Sequence, residues 1–146
     1  MTPEQLASVR STASRVEQAL DQCASCFYDD LFTRHPSARR LFTDDRIAAG
    51  STLFDELLGL IGATDDLPRF LAQARVLGLD LQRRGIHAAD YAFVGDALIA
   101  AIAVVVGDGW TVEIQEAWRR MYVLIVEAML EGAEDGLFSP SDRAAG

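Results

Sequence analysis

The chain has 146 residues, of which half are hydrophobic and 24% are charged, as in a globular domain rather than a disordered or fibrous chain. At this length we expect one domain over residues 1–146, with a core at about 2–133 and a tail at 134–146 that is expected to fray. The net charge of −9 argues against nucleic acids and anionic membrane surfaces as partners.

Helical periodicity dominates the first half of the chain, and the alternation typical of strands is almost absent. Thr2 and Pro3 predict a helix start because they suit the N-cap and the first turn. A second helix is expected over residues 18–33, and a short one starts at Pro36. A further helix follows the acidic pair at 44–45 and stops near 62–64.

Three more helices are predicted in the second half. The first has its start signal at Asp66, Leu67 and Pro68 and runs over residues 70–84, the second runs over 90–106, and the third runs from Thr111 to about Gly132. Gly85 and Gly107 are expected to end the first two, because glycine adopts the left-handed backbone conformation of helix C-termini. About seven helices with short connections predict an all-α domain.

The polar N-terminus lacks the apolar segment of a signal peptide. The longest apolar run, residues 97–107, is shorter than the roughly 20 residues of a membrane span. Two cysteines do not make a disulfide framework, so we expect a cytoplasmic protein with no membrane segment.

Four segments occur together in one order: TPEQLASVR, FYDDLFTRHPSARRLF, GIHAADYAFVGDALIAAI and GDGWTVEIQEAWRRMY. In sequence and spacing, residues 2–129 resemble the globin domain of bacterial flavohaemoglobins and their single-domain relatives. The resemblance implies the globin fold, in which helices cross at about 50° around a central pocket.

The resemblance also implies which residues line that pocket. Tyr28 corresponds to the distal tyrosine whose hydroxyl donates to bound oxygen, and Phe42 to the phenylalanine that stacks on the haem. Tyr91 corresponds to the tyrosine that supports the proximal side, and Ile86 is expected in the same lining.

Two parts of the family pattern are changed. The pattern LGxxHxxxG aligns without a gap with LGLDLQRRG, which places the proximal histidine on Leu81. Leucine cannot coordinate iron, whereas a haem globin needs an axial ligand. If one residue is inserted near residues 43–46, the distal glutamine of the family aligns with Gly50. A position that holds a smaller apolar residue in the family then aligns with Phe54.

The main hypothesis is therefore a haem-independent globin domain without a metal or cofactor, not an enzyme, that binds a small apolar ligand or a protein partner. The alternative is a haem globin that handles oxygen or nitric oxide through atypical axial ligation by Tyr28 or His87. An empty pocket of about 500 Å³ would cost on the order of 10 kcal/mol, so collapse, another ligand and atypical haem binding all stay open. A homodimer through the last two helices is also left open.

Three other features have two interpretations each. Cys23 and Cys26 lie on neighbouring positions of one helix face, either as a redox pair or, as we favour, as buried free cysteines. His87 follows the stop at Gly85 and is expected to be a solvated turn residue rather than a ligand. His35 precedes a proline and is expected at the surface.

Overall fold

The computed structural model describes residues 1–41 and 46–137, excluding the side chains of residues 40, 41, 46–52 and 132–137. These ranges form helices and turns without strands, which confirms the predicted all-α class. The α-helices are α1 (Pro3–Glu17), α2 (Leu20–Arg34), α3 (Arg46–Gly62), α4 (Leu67–Arg83), α5 (Tyr91–Val106) and α6 (Val112–Leu137). Shorter 3₁₀ turns occupy Pro36–Leu41, Ala88–Asp90 and Gly107–Gly109.

The helix starts follow local capping chemistry. The Thr2 hydroxyl accepts a hydrogen bond from the Gln5 amide at 3.1 Å, and the Gln5 side chain accepts one from the Thr2 amide at 2.9 Å. Asp66 and Thr111 cap α4 and α6 in the same way, by accepting from the amide three residues later. Because each cap satisfies an otherwise unpaired amide, these residues start the helices as the sequence predicted.

The helix ends agree in part with the prediction. Gly85 and Gly107 follow α4 and α5 with positive φ values of 91° and 70°, which favour glycine. The ψ of Gly107 is −131°, so Gly107 does not adopt the left-handed helical cap that the sequence predicts. In contrast, α6 passes Gly132, where the sequence predicts its end, and continues to Leu137. A glycine inside a helix costs about 1 kcal/mol, which is too little to stop a long, well-packed helix. Residues 138–146 of the predicted tail lie outside the described range.

Three pairs of packed helices position the interior. Helix α4 packs mainly on α6, and α2 packs on α5 and α3. The α4–α6 crossing is very close at Gly78, where a Cβ would meet the main-chain oxygen of Met129. Helix α3 therefore rests chiefly on α2, while α4 rests on α6.

Helix α5 is the most apolar helix of the described chain. With its flanking turns, over residues 88–109, it has the length and mean hydropathy (1.9) of a membrane-crossing helix. Half of this stretch is buried inside the protein, and α5 packs on α2 and α6. Burial of this extent is also what the core helix of a globular protein shows.

Candidate functional site

An apolar cavity lies where α3, α4, α5 and α6 meet. Its lining is almost entirely aliphatic, with two tyrosines: Leu53, Leu57, Leu77, Leu81, Ile86, Tyr91, Val94, Leu98, Tyr122, Ile125 and Met129. The free volume between these side chains is about 20 Å³. That volume holds about one water molecule, whereas pockets for organic ligands span about 300–1,000 Å³. The described lining is therefore nearly closed.

The structure places Leu81 in the α4 wall of this cavity, where its side chain is only 6% exposed. The chain turns back directly after it, because Gly85 adopts a left-handed conformation and the Ile86 amide donates to the Leu81 carbonyl at 3.0 Å. Ile86 is consequently buried beside Leu81. The α4 wall thus offers aliphatic carbon and no metal-binding atom at this position.

Tyr91, the first residue of α5, lies in the lining of the same cavity, and Tyr122 holds its backbone. The Tyr122 hydroxyl donates to the Tyr91 carbonyl at 2.7 Å, and its ring lies over Gly95, whose missing side chain leaves the space for it. Burial raises the pKa of both phenols, helped by Asp90 at Tyr91 and by Tyr91 and Asp96 at Tyr122. Both phenols therefore stay neutral at pH 7 and act as hydrogen-bonding groups.

An aromatic cluster on α2 and α3 lies on the other side of the interior. Tyr28 is buried, stacks on Phe32 at 5.4 Å between ring centroids, and meets Phe27 at 5.1 Å. Phe54 of α3 is fully buried and meets Phe27 edge to face at 5.9 Å. The structure therefore brings Tyr28 and Phe54 into one cluster, although neither belongs to the lining of the cavity described above.

Two predicted pocket residues, Phe42 and Gly50, lie outside the part of the chain whose side chains are described. Phe42 lies outside the described residues. Gly50 lies within α3, but the side chains around it, at residues 46–52, are outside the description. The distal assignments that depended on an insertion near residues 43–46 therefore stay predictions.

The two histidines lie away from the cavity wall. His87 is exposed at the start of a 3₁₀ turn, where its backbone amide donates to Asp90 at 2.9 Å. His35 is half-buried at the surface and stacks on Phe93 at 4.6 Å between ring centroids, a contact that the sequence did not predict. Phe93 lies on α5, far along the sequence, and only tertiary packing brings it to His35. In the described ranges, no group of three or more His, Cys, Asp or Glu could hold a metal.

Cys23 and Cys26 are free thiols in different environments. Cys23 is fully buried, and burial, with Cys26 nearby, raises its pKa to about 12. Cys26 is half-buried, and burial and Asp29 raise its pKa as well. A raised pKa disfavours the nucleophilic thiolate, which is consistent with small hydrophobic residues rather than a reactive pair.

Comparisons with known sequences agree on one family. The family model described as Globin matches residues 25–129. The flavohemoprotein of Bacillus subtilis is 26% identical over 94% of this chain and 35% of its own length. That of Deinococcus radiodurans is 26% identical over 100% of this chain and 36% of its own. The chain thus spans about a third of the length of these curated relatives.

Solved structures show the same fold. A hexacoordinated heme protein from an anhydrobiotic tardigrade superposes with a TM-score of 0.82 at 14% identity, covering 90% of this chain and 94% of that one. An engineered carbene transferase from Rhodothermus marinus superposes with a TM-score of 0.80 at 24% identity, covering 92% and 94%. At such identities the likeness concerns the path of the chain and not its chemistry.

Proposed function

Since the chain belongs to the globin family, we propose that it is a haem-binding globin whose iron takes no imidazole from α4. The family match and the flavohemoprotein relatives support haem over the cofactor-free interpretation that Leu81 first suggested. The observation that carries the proposal is the match of residues 25–129 to the globin family. The apolar lining where α3, α4, α5 and α6 meet suits a porphyrin only once it opens.

The described residues suit the porphyrin of haem but not its iron. Aliphatic side chains such as Leu77, Val94 and Leu98 suit the apolar faces of a porphyrin. Leu81 does not suit its iron, because a hydrocarbon side chain has no lone pair to donate. When bound, haem would supply an iron centre for a diatomic ligand such as oxygen. No catalytic step is assigned to the described lining, whose polar side chains are two neutral tyrosines.

Haem would require the nearly closed walls to separate. Helix α3 rests chiefly on α2, and α4 rests chiefly on α6. The two walls are therefore anchored mainly to different helices, while α1 contacts both α3 and α6. We expect an opening that keeps each wall on its main packing partner and disturbs the contacts of α1. Part of the binding free energy would be spent on this opening, so we expect weaker binding than in a globin with a proximal histidine.

Tyr28 is the residue that we propose as the polar contact to the iron side. Tyrosine serves as an axial haem ligand in other proteins, and Tyr28 is buried in the aromatic cluster beside the α3 wall. His87 is a weaker candidate because it is exposed at the start of a turn whose capping Asp90 holds its backbone.

The test is a hemin titration of the purified protein followed by visible absorption. We expect saturable one-to-one binding, a changed band position in Tyr28→Phe, and an unchanged spectrum in His87→Ala. Leu81→His serves as the positive control, because it restores an imidazole to a position that already lies in the wall. Absence of saturable binding by the wild type, together with binding by Leu81→His, would refute the proposal.

A cofactor-free interaction module is the second candidate, and the packing of Leu81 favours it. The side chain fills the wall so well that about 20 Å³ of free volume is left. The same titration separates the two candidates, because a cofactor-free domain would show no hemin-dependent change in either spectrum or thermal stability.

A further inference from the structure

One side of the molecule gathers most of the exposed large hydrophobic side chains. Of seven such residues in the described chain, four lie together: Met1 (43% exposed), Leu67 (64%), Val123 (53%) and Leu124 (43%). They border two adjoining depressions, both of which include Met1, Leu124 and Glu127. We call these four residues the α6 patch. Exposed apolar side chains gathered on one side of a protein are typical of an interaction surface.

Charges on the outer face of α6 are ordered around this patch. Arg119 and Arg120 lie one turn before Val123 and are exposed, while Glu127 and Glu131 lie one and two turns after it and are exposed as well. Directly on either side of Val123 and Leu124, the face is basic towards the N-terminus and acidic towards the C-terminus, while Glu116, one turn before Arg120, is paired with that arginine. A basic, apolar and acidic order is self-complementary when two copies of the helix pair antiparallel about a two-fold axis.

We propose that the α6 patch is a homodimer interface in which α6 pairs antiparallel with α6 of a second copy. A two-fold axis near Val123 and Leu124 would place the apolar residues of both copies against each other. It would also place Arg120 of each copy opposite Glu127 of the other. A parallel arrangement would instead oppose like charges, so the charge order selects the antiparallel pair.

The arginines can take part in such pairing at little cost. Arg120 pairs with Glu116 at 3.6 Å and Arg119 with Asp96 at 3.3 Å, and all four side chains are about half exposed. Exposed ion pairs contribute only about 0–1 kcal/mol, so Arg120 can exchange one acidic partner for another. The net charge of −9 per copy opposes association, and this repulsion is screened beyond about 8 Å at 0.15 M salt.

The first test is sedimentation equilibrium of the full chain at 0.15 M salt over a wide range of concentrations. We expect a monomer–dimer equilibrium in the wild type and a monomer in Val123→Asp. Val104→Asp is the matched control, because Val104 is equally exposed but lies on α5 outside the patch. A wild type that stays monomeric at several hundred micromolar overturns the proposal, as does equal loss of association in both variants. Far-ultraviolet circular dichroism verifies that each variant is folded.

The second test uses charge reversal. Arg120→Glu and Glu127→Arg should each raise the dimer dissociation constant about 10-fold, because each converts two symmetric attractive pairs into repulsive ones. An equimolar mixture of the two variants should form a heterodimer, and the double variant should regain wild-type association. If mixing restores nothing, antiparallel pairing is wrong. Neither readout involves haem, so this result is independent of the proposed function.

Discussion

The close crossing of α4 and α6 makes a quantitative prediction for Gly78→Ala. A Cβ at this position would meet the main-chain oxygen of Met129 and lie 2.9 Å from its carbonyl carbon and Cα. Ordinary contact begins at 3.4 Å, so α4 must move away from α6 by at least about 0.5 Å. The obstacle is backbone, which cannot rotate aside. Overpacking of this severity lowers the free energy of unfolding by about 3 kcal/mol, the upper end of the usual range. The better helix propensity of alanine offsets about 1 kcal/mol of this loss.

We therefore expect Gly78→Ala to lower the free energy of unfolding by about 2 kcal/mol, or the melting temperature by about 4–8 °C. Gly59→Ala is the matched control, because Gly59 lies inside α3 and a Cβ there would meet no atom within 4 Å. That substitution should stabilise the protein by about 0.5–1 kcal/mol. Urea denaturation followed by circular dichroism measures both changes. If both variants gain stability equally, the close α4–α6 crossing is wrong.

Three other predictions concern buried groups. Thr12→Val should lower the free energy of unfolding by about 1–3 kcal/mol, because the Trp118 indole donates to the Thr12 hydroxyl at 2.7 Å in the core. Thr12→Ser keeps the hydroxyl and should lower it less in the same urea titration. Leu81→Ala should lower the unfolding free energy of the haem-free protein by about 2–5 kcal/mol. Cys23, whose pKa rises to about 12 in the folded state, stays protonated there while the unfolded thiol ionises near pH 9. Stability should therefore fall as pH rises from 9 towards 12, with a smaller slope in Cys23→Ala, whereas equal slopes would contradict this reasoning.

The helix boundaries that sequence predicted well are those that depend on neighbouring residues. Thr2, Asp66 and Thr111 cap helices through contacts three residues away, and Gly85 and Gly107 end them through their own backbone conformation. Such signals are complete within one turn of chain. A prediction from local sequence therefore captures them without knowledge of the fold.

Features that depend on distant residues were harder to predict. The stacking of His35 on Phe93 requires the packing of α2 on α5, which no local pattern encodes. The structure places Leu81 in the cavity wall, whereas its correspondence to the proximal position of the family stays a prediction. How tightly that wall closes depends on side chains from four helices, and sequence spacing contains no measure of such packing.

Leu81 thus links the stability of the protein to its proposed ligand. A buried leucine contributes about 1.5–3 kcal/mol through removal from water, and it prevents the larger cost of an empty pocket. The haem-free protein therefore gains the packing that a cofactor provides in a haem-filled globin. Haem must compete with this packing, whereas a histidine at the same position would pack less well and bind iron. We therefore expect Leu81→His to lower the free energy of unfolding of the haem-free protein and to raise its affinity for haem. If the two quantities do not change in these opposite directions, position 81 does not have the role inferred from its place in the wall.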